Sequence, residues 1–229
     1  MTLRQFLKTI GSCAALAVVV LVGMSIPSPR GQAFGQGDAA NNEASEIQQG
    51  FAIAPVPLNL NGKNRALVGL GSYIVNAQGD CDGCHSAGPK TEFARGGNPY
   101  FGQPTKINPA TYLGGGRDFG PLVPGSPDII SRNLTPDKTG MPEGGRPFSE
   151  FLQIIRTGVD LDHLHPTCSA TVTTNCLPPP FDGDLLQIMP WPIYHNMTEH
   201  DLRAIYEYLS SIPCIPGPPA PDPRHNDCE

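Results

Sequence analysis

Over residues 65–77 the apolar positions Leu67, Val68, Leu70, Ile74 and Val75 recur at near-helical spacing, which predicts an amphipathic helix. Asn64 is placed to cap its start and Gly79 to end it. Gly69 and Gly71 weaken this helix but let a second backbone come close. Another helix is predicted from Ser149 to Thr157, capped by Ser149, with Phe151, Ile154 and Ile155 facing inward and Gly158 stopping it. The clearest helix follows Thr198. Leu202, Ile205, Tyr206 and Leu209 fall on one face, and Thr198-Glu199-His200-Asp201 resembles a capping box with Asp in place of Glu or Gln. Pro213 ends it. Its apolar stripe reads as core, and its expected partner is the helix at 65–77.

Between these elements the pattern fades. Residues 86–146 show Gly-Gly, Asn-Pro and Gly-Gly-Gly turns, with Tyr100, Phe101, Tyr112, Leu113 and Phe119 as scattered apolar anchors on a short hairpin. Residues 34–62 are small and polar and read as a linker or wrapping arm. The first 33 residues read as a signal peptide: Arg4 and Lys8 form a positive start, Ile10 to Ile26 an apolar run, and Pro27 to Ala33 the cleavage region. The alternative for this segment is an uncleaved anchor on the outer face of the inner membrane, since the run is near the lower limit for a span.

Gly and Pro number 26 each in 229 residues, which favours a loop-rich domain over long helices. The formal charge is −6; removing residues 1–33 takes Arg4, Lys8 and Arg30 and no acid, which leaves −9. An acidic chain of this kind is not expected to bind nucleic acid.

The chemistry lies in Cys81-Asp82-Gly83-Cys84-His85. C-x-x-C-H is the attachment signature of c-type haem: two thiols add to the two vinyl groups, and the adjacent histidine meets the iron. A thioredoxin-like reading needs a βαβ pattern that is missing here, and a zinc reading needs further Cys/His pairs at regular spacing. One motif predicts one covalent haem c. It also agrees with export, since attachment takes place outside the inner membrane. The Gly-rich stretch 86–146 is expected to wrap one edge of the haem.

Three methionines after the motif are candidates for the second iron ligand. Met141 lies in a Gly/Pro turn, and Met197 is explained by packing before the last helix. Met189 precedes Pro190-Trp191-Pro192, a rigid apolar segment that would hold the thioether with little entropy left to lose. Four cysteines remain once the motif and Cys13 are set aside. In an oxidising compartment they suggest two disulfides, most simply Cys168–Cys176 and Cys214–Cys228. His163 and His165, in Asp-His-Leu-His-Pro, read as surface loop residues, with metal or distal haem ligation as the alternative; His195, His200 and His225 read as surface or edge residues, and Asp160 and Asp162 as solvated. Arg132 and Asn133 are either donors to haem carboxylates or ordinary turn residues.

The run Leu186-Gln187-Ile188-Met189-Pro190-Trp191-Pro192, then Met197-Thr198, Asp201-Leu202 and Ile205-Tyr206-Glu207-Tyr208-Leu209, resembles the C-terminal part of class I cytochromes c. With Ser131-Arg132-Asn133-Leu134-Thr135-Pro136-Asp137, Thr139-Gly140 and Arg156-Thr157-Gly158, the chain is similar to a single haem domain of the cytochrome c subunit of bacterial membrane-bound alcohol and gluconate dehydrogenases. The resemblance implies an all-α class I cytochrome c fold, loop-rich, with N- and C-terminal helices packed around one covalent haem. It implies His85 and Met189 as the axial, metal-binding residues. It divides the chain into a monohaem domain at 63–212 and a Pro-rich, disulfide-closed tail at 213–229. The expected role is a periplasmic electron-transfer protein, not an enzyme, with a dehydrogenase or respiratory complex as redox partner. The alternatives are an open-site haem enzyme or gas sensor, and a cytochrome subunit docked permanently in such a complex. Those subunits carry three haem domains where this chain has one motif. Trp191 stands where Tyr is common, and segments 166–180 and 213–229 are additions.

Overall fold

The computed structural model describes residues 36–219, 222 and 224–229. The signal segment at 1–33 lies outside the described residues. Helix α1 spans Gln36–Ile53 and α2 spans Arg65–Tyr73, continued without a break by a π-helical turn at Ile74–Gln78. Helix α3 is the single turn Cys81–His85, and α4 is the turn Pro89–Glu92. Strands β1 (Asp118–Pro121) and β2 (Asp128–Ile130) pair antiparallel. Then come the turn α5 (Pro142–Gly145), α6 (Phe148–Thr157), the turn α7 (Trp191–Tyr194) and α8 (Glu199–Leu209).

This corrects the all-α, class I cytochrome c expectation. Helix accounts for 37 % of the structure, and a two-stranded sheet and two disulfides stand beside it. The reason is local. Leu122 to Pro127 is a Pro/Gly turn flanked by Phe119 on one side and Ile129 and Ile130 on the other, which suits a hairpin and no helix.

The core is built where α2 crosses α8. A Cβ added at Gly71 would stand 1.9 Å from the Ala204 carbonyl oxygen, so only glycine permits this approach. Val68, Leu202, Tyr208 and Leu209 are buried around the crossing. Asn64 caps α2 by accepting from Ala66 N at 3.1 Å and Leu67 N at 3.4 Å. Thr198 caps α8, accepting from Asp201 N at 3.1 Å and donating to Asp201 Oδ2 at 2.7 Å. Pro147, and not Ser149, precedes the first turn of α6, with no side-chain cap.

The segment expected to be a linker or arm holds α1. Only Ile47 and Phe51, one turn apart, carry its apolar face, which is too narrow a signal to stand out in a polar stretch. They meet α2 at Gly69, where a Cβ would lie 2.7 Å from Ile47 Cγ2 and from Phe51 Cε2.

Candidate functional site

A cavity of about 350 Å³ opens between the π turn, α3, the β-hairpin, α6 and α8. That is within the usual size of small-molecule sites, and the walls are mostly apolar as such sites require. Ile74 and Val75 face it from the π turn, Ile130 from β2, Phe151 and Ile155 from α6, and Leu202 from α8.

Cys81, Cys84 and His85 all line this cavity from the turn of α3. Cys81 and Cys84 are free thiols, whereas the other four cysteines among the described residues are paired as Cys168–Cys176 and Cys214–Cys228. Burial, then the charges of Asp80, Cys84 and Asp82, pushes the Cys81 thiol up to about 12, so it stays protonated at neutral pH. Among the described residues no group of three or more His, Cys, Asp or Glu side chains could hold a metal ion by itself.

The His85 ring is fixed by its outer nitrogen. Nδ1 lies 2.7 Å from the Arg132 carbonyl oxygen, which makes Nδ1–H the donor and leaves Nε2 with its lone pair free. Burial lowers the imidazole's pKa below its ordinary value, against an opposing pull from that carbonyl, so the ring is neutral. A neutral imidazole with Nε2 free is a metal-ligand geometry.

The Arg132 segment is held in turn by the tail. Asn133 Nδ2 donates to the carbonyls of Ile215 at 2.7 Å and Arg224 at 3.1 Å. Asn226 Nδ2 donates to Thr135 O at 3.0 Å and Pro136 O at 2.9 Å. Asn133 is therefore a structural tie and does not line the cavity. Arg132 does line it, and its guanidinium donates to Asp160 and faces Asp162 at 2.9 Å and Glu143 at 3.8 Å.

Asp160, read as solvated, is buried in this cluster. Burial alone would raise its carboxyl. The Arg132 guanidinium and the backbone N–H groups of Asp162 and Leu164 more than offset that, and its pKa falls below the ordinary value.

Met189 and Met197 both line the cavity, while Met141 lies off it. Met189 is delivered by a strained backbone. Ile188 has φ +68°, a conformation that β-branched residues rarely adopt, and such strain gathers at functional positions. Trp191 Nε1 donates to the Leu186 carbonyl at 3.2 Å and so closes the segment that carries Met189. Met197 is held differently, through its own carbonyl, which accepts from Arg156 Nη1 at 2.7 Å.

His165 lines the cavity, where a surface loop residue is expected; His163 is exposed, with Asp184 at 3.6 Å. The signal for His165 is long-range. Its loop is drawn inward by the Cys168–Cys176 bridge and by bonds from Asn175 and Leu177, none of which shows in local periodicity.

The chain is 30 % identical over 149 residues to the gluconate 2-dehydrogenase cytochrome c subunit of Pantoea cypripedii, covering 64 % of this chain and 23 % of that protein. It is 27 % identical over 167 residues to the alcohol dehydrogenase (quinone) cytochrome c subunit of Gluconacetobacter polyoxogenes, covering 72 % of this chain and 25 % of that one. The same figures hold for the protein of that name in Komagataeibacter europaeus. The chain is related to cytochrome c subunits. It spans about a quarter of the length of these relatives. No family model and no solved structure matches it. The likeness agrees with the C-x-x-C-H turn on the cavity wall.

Proposed function

We propose that this protein is an electron-transfer cytochrome that holds one haem c covalently through Cys81 and Cys84, with His85 and Met189 as axial ligands. One observation carries the reading. The His85 ring, locked by the Arg132 carbonyl with Nε2 free, shares one apolar cavity with the two free thiols and the Met189 thioether. The residues fit the group: the thiols lie on a single helical turn, the walls suit a flat apolar ring, and an imidazole and a thioether reach the same space. Bound there, a haem supplies a one-electron iron couple, whose potential a thioether ligand raises.

The chain's own residues do the rest. Arg132 holds the His85 proton away from Nε2. The apolar walls exclude water. At the cavity rim Ile188 is 46 % exposed and Ile193 70 % exposed, an apolar margin where a redox partner can approach. The relatives are named as subunits of dehydrogenases, which supports a dehydrogenase as partner. In this reading residues 63–212 are the haem-bearing domain and residues 213–229 a buttress behind Arg132. Two disulfides support an oxidising location such as the periplasm. Among the described residues no helix is long and apolar enough to cross a membrane.

The test is the weak far-red sulfur–iron absorption of the oxidised protein. It is expected in wild type and in Met197→Ala, and absent in Met189→Ala, which should also bind carbon monoxide when reduced. A band that survives Met189→Ala moves the role to Met197. A wild type with no band and ready carbon monoxide binding is an open-site haem protein instead.

A further inference from the structure

His165 is fastened into the cavity wall on both sides of its own residue. The Leu164 carbonyl accepts from Asn175 Nδ2 at 3.0 Å, and the Pro166 carbonyl from Leu177 N at 2.9 Å. Gly183 lies against the same backbone, where a Cβ would stand 2.3 Å from the His165 carbonyl oxygen. Leu164 N donates to Asp160 at 3.4 Å, and Asp160 pairs with Arg132. His165 thus follows directly on a residue held by Asp160, and His165, Arg132 and Asp160 all line the cavity.

The two histidines on this cavity differ in one respect. His85 Nδ1 has an acceptor; His165 Nδ1 is buried and has none among the described residues. A ring that binds metal through Nε2 must carry its proton on Nδ1, and a buried N–H without an acceptor costs about 1–3 kcal/mol. An idle acceptor is the lesser penalty, so His165 keeps its proton on Nε2. It is built as a donor and not as an iron ligand.

A haem is apolar except at its two carboxylates, and a carboxylate taken into a cavity needs donors. Arg132 Nη2 is taken by Asp160, while its buried Nη1, with Asp162 at 2.9 Å and Glu143 at 3.8 Å, has no hydrogen-bond partner. His165 adds a second donor on the same cavity, next to the neutralised Arg132 cluster in sequence but not tied into it. We propose that His165 donates its Nε2–H to a haem propionate and so fixes the orientation of the ring in the cavity. The loop closed by Cys168–Cys176, through Asn175 and Leu177, is what presents it. This inference rests on the haem reading above.

The experiment uses the holoprotein of wild type, His165→Phe and His165→Gln. Intact mass and the absorption spectrum report haem attachment and axial ligation, and resonance Raman reports the propionate bending mode, which falls when a hydrogen bond to the carboxylate is lost. The expected result is unchanged attachment and ligation in both variants. The propionate band should move down clearly in His165→Phe and slightly in His165→Gln, which keeps a weaker donor. A band identical to wild type in His165→Phe overturns the proposal; if that variant yields no holoprotein, an identical band in His165→Gln does so. Loss of the wild-type ligation spectrum on replacing His165 would make it an iron ligand and overturn it equally. A wild type without haem refutes the underlying reading instead, and that outcome is visible before any variant is made.

Discussion

Trp191 packs directly on the backbone of Gly158: a Cβ at Gly158 would lie 2.1 Å from Trp191 Cε2. Gly158 has φ +73° and closes α6, with its N–H donating to the Ile154 carbonyl at 2.7 Å. The end of α6 is thus the seat of the indole, and the indole in turn pins Leu186 and the Met189 segment. A helix stop and a candidate ligand are coupled through one ring.

Gly158→Ala should break that coupling. The left-handed backbone costs an L-residue about 1–2 kcal/mol, and the new methyl displaces the ring. Thermal unfolding should show a loss of at least that size. The far-red sulfur–iron band should weaken together with stability, although Gly158 is no ligand. Full stability with an intact band would show that Trp191 does not position Met189.

Asp160 should govern part of the acid sensitivity. A carboxyl held below its ordinary value in the folded state stabilises above its unfolded value of about 3.9, and that stability is lost as pH falls through the folded value. Removing one member of a buried ion pair costs about 3–5 kcal/mol, and Arg132 and Asp160 have side chains only 10 % and 9 % exposed. Asp160→Asn should therefore be strongly destabilised at neutral pH, with the gap from wild type closing as pH falls below about 4. Denaturant unfolding of both proteins across this range checks it; a gap that does not change with pH would contradict it.

How much of this was legible in the sequence follows from the range of each interaction. Leu202, Ile205, Tyr206 and Leu209 sit within one helix, so α8 and its Thr198 cap could be read locally. Gly71 hinted at a close approach that turned out to be Ala204. The free and paired cysteines could be sorted by arithmetic and compartment. What escaped depends on distant partners. Asp160 looks like any loop acid until Arg132 is brought beside it. His165 looks solvated until the loop behind it is bridged and tied down. A short hairpin was expected within 86–146, but of its proposed anchors only Phe119 lies on the one at 118–130, and α1 was masked by its two-residue apolar face.

The two disulfides should contribute unequally to stability but not to haem attachment. With sequence separations of 8 and 14, the loop-entropy relation gives about 2.5 kcal/mol for Cys168–Cys176 and about 3 kcal/mol for Cys214–Cys228. Paired serine variants compared by chemical denaturation test this. Removal of the second bridge should also loosen the Asn133 and Asn226 ties behind Arg132. Larger harm from the first bridge would reverse the ranking.

The most direct test of the central claim is the intact mass of the exported protein under denaturing conditions. Covalent attachment at Cys81 and Cys84 predicts the polypeptide plus one haem, with Cys84→Ala giving little mature holoprotein. The mass of the bare polypeptide, or haem that separates from it in acidic organic solvent, would contradict the account.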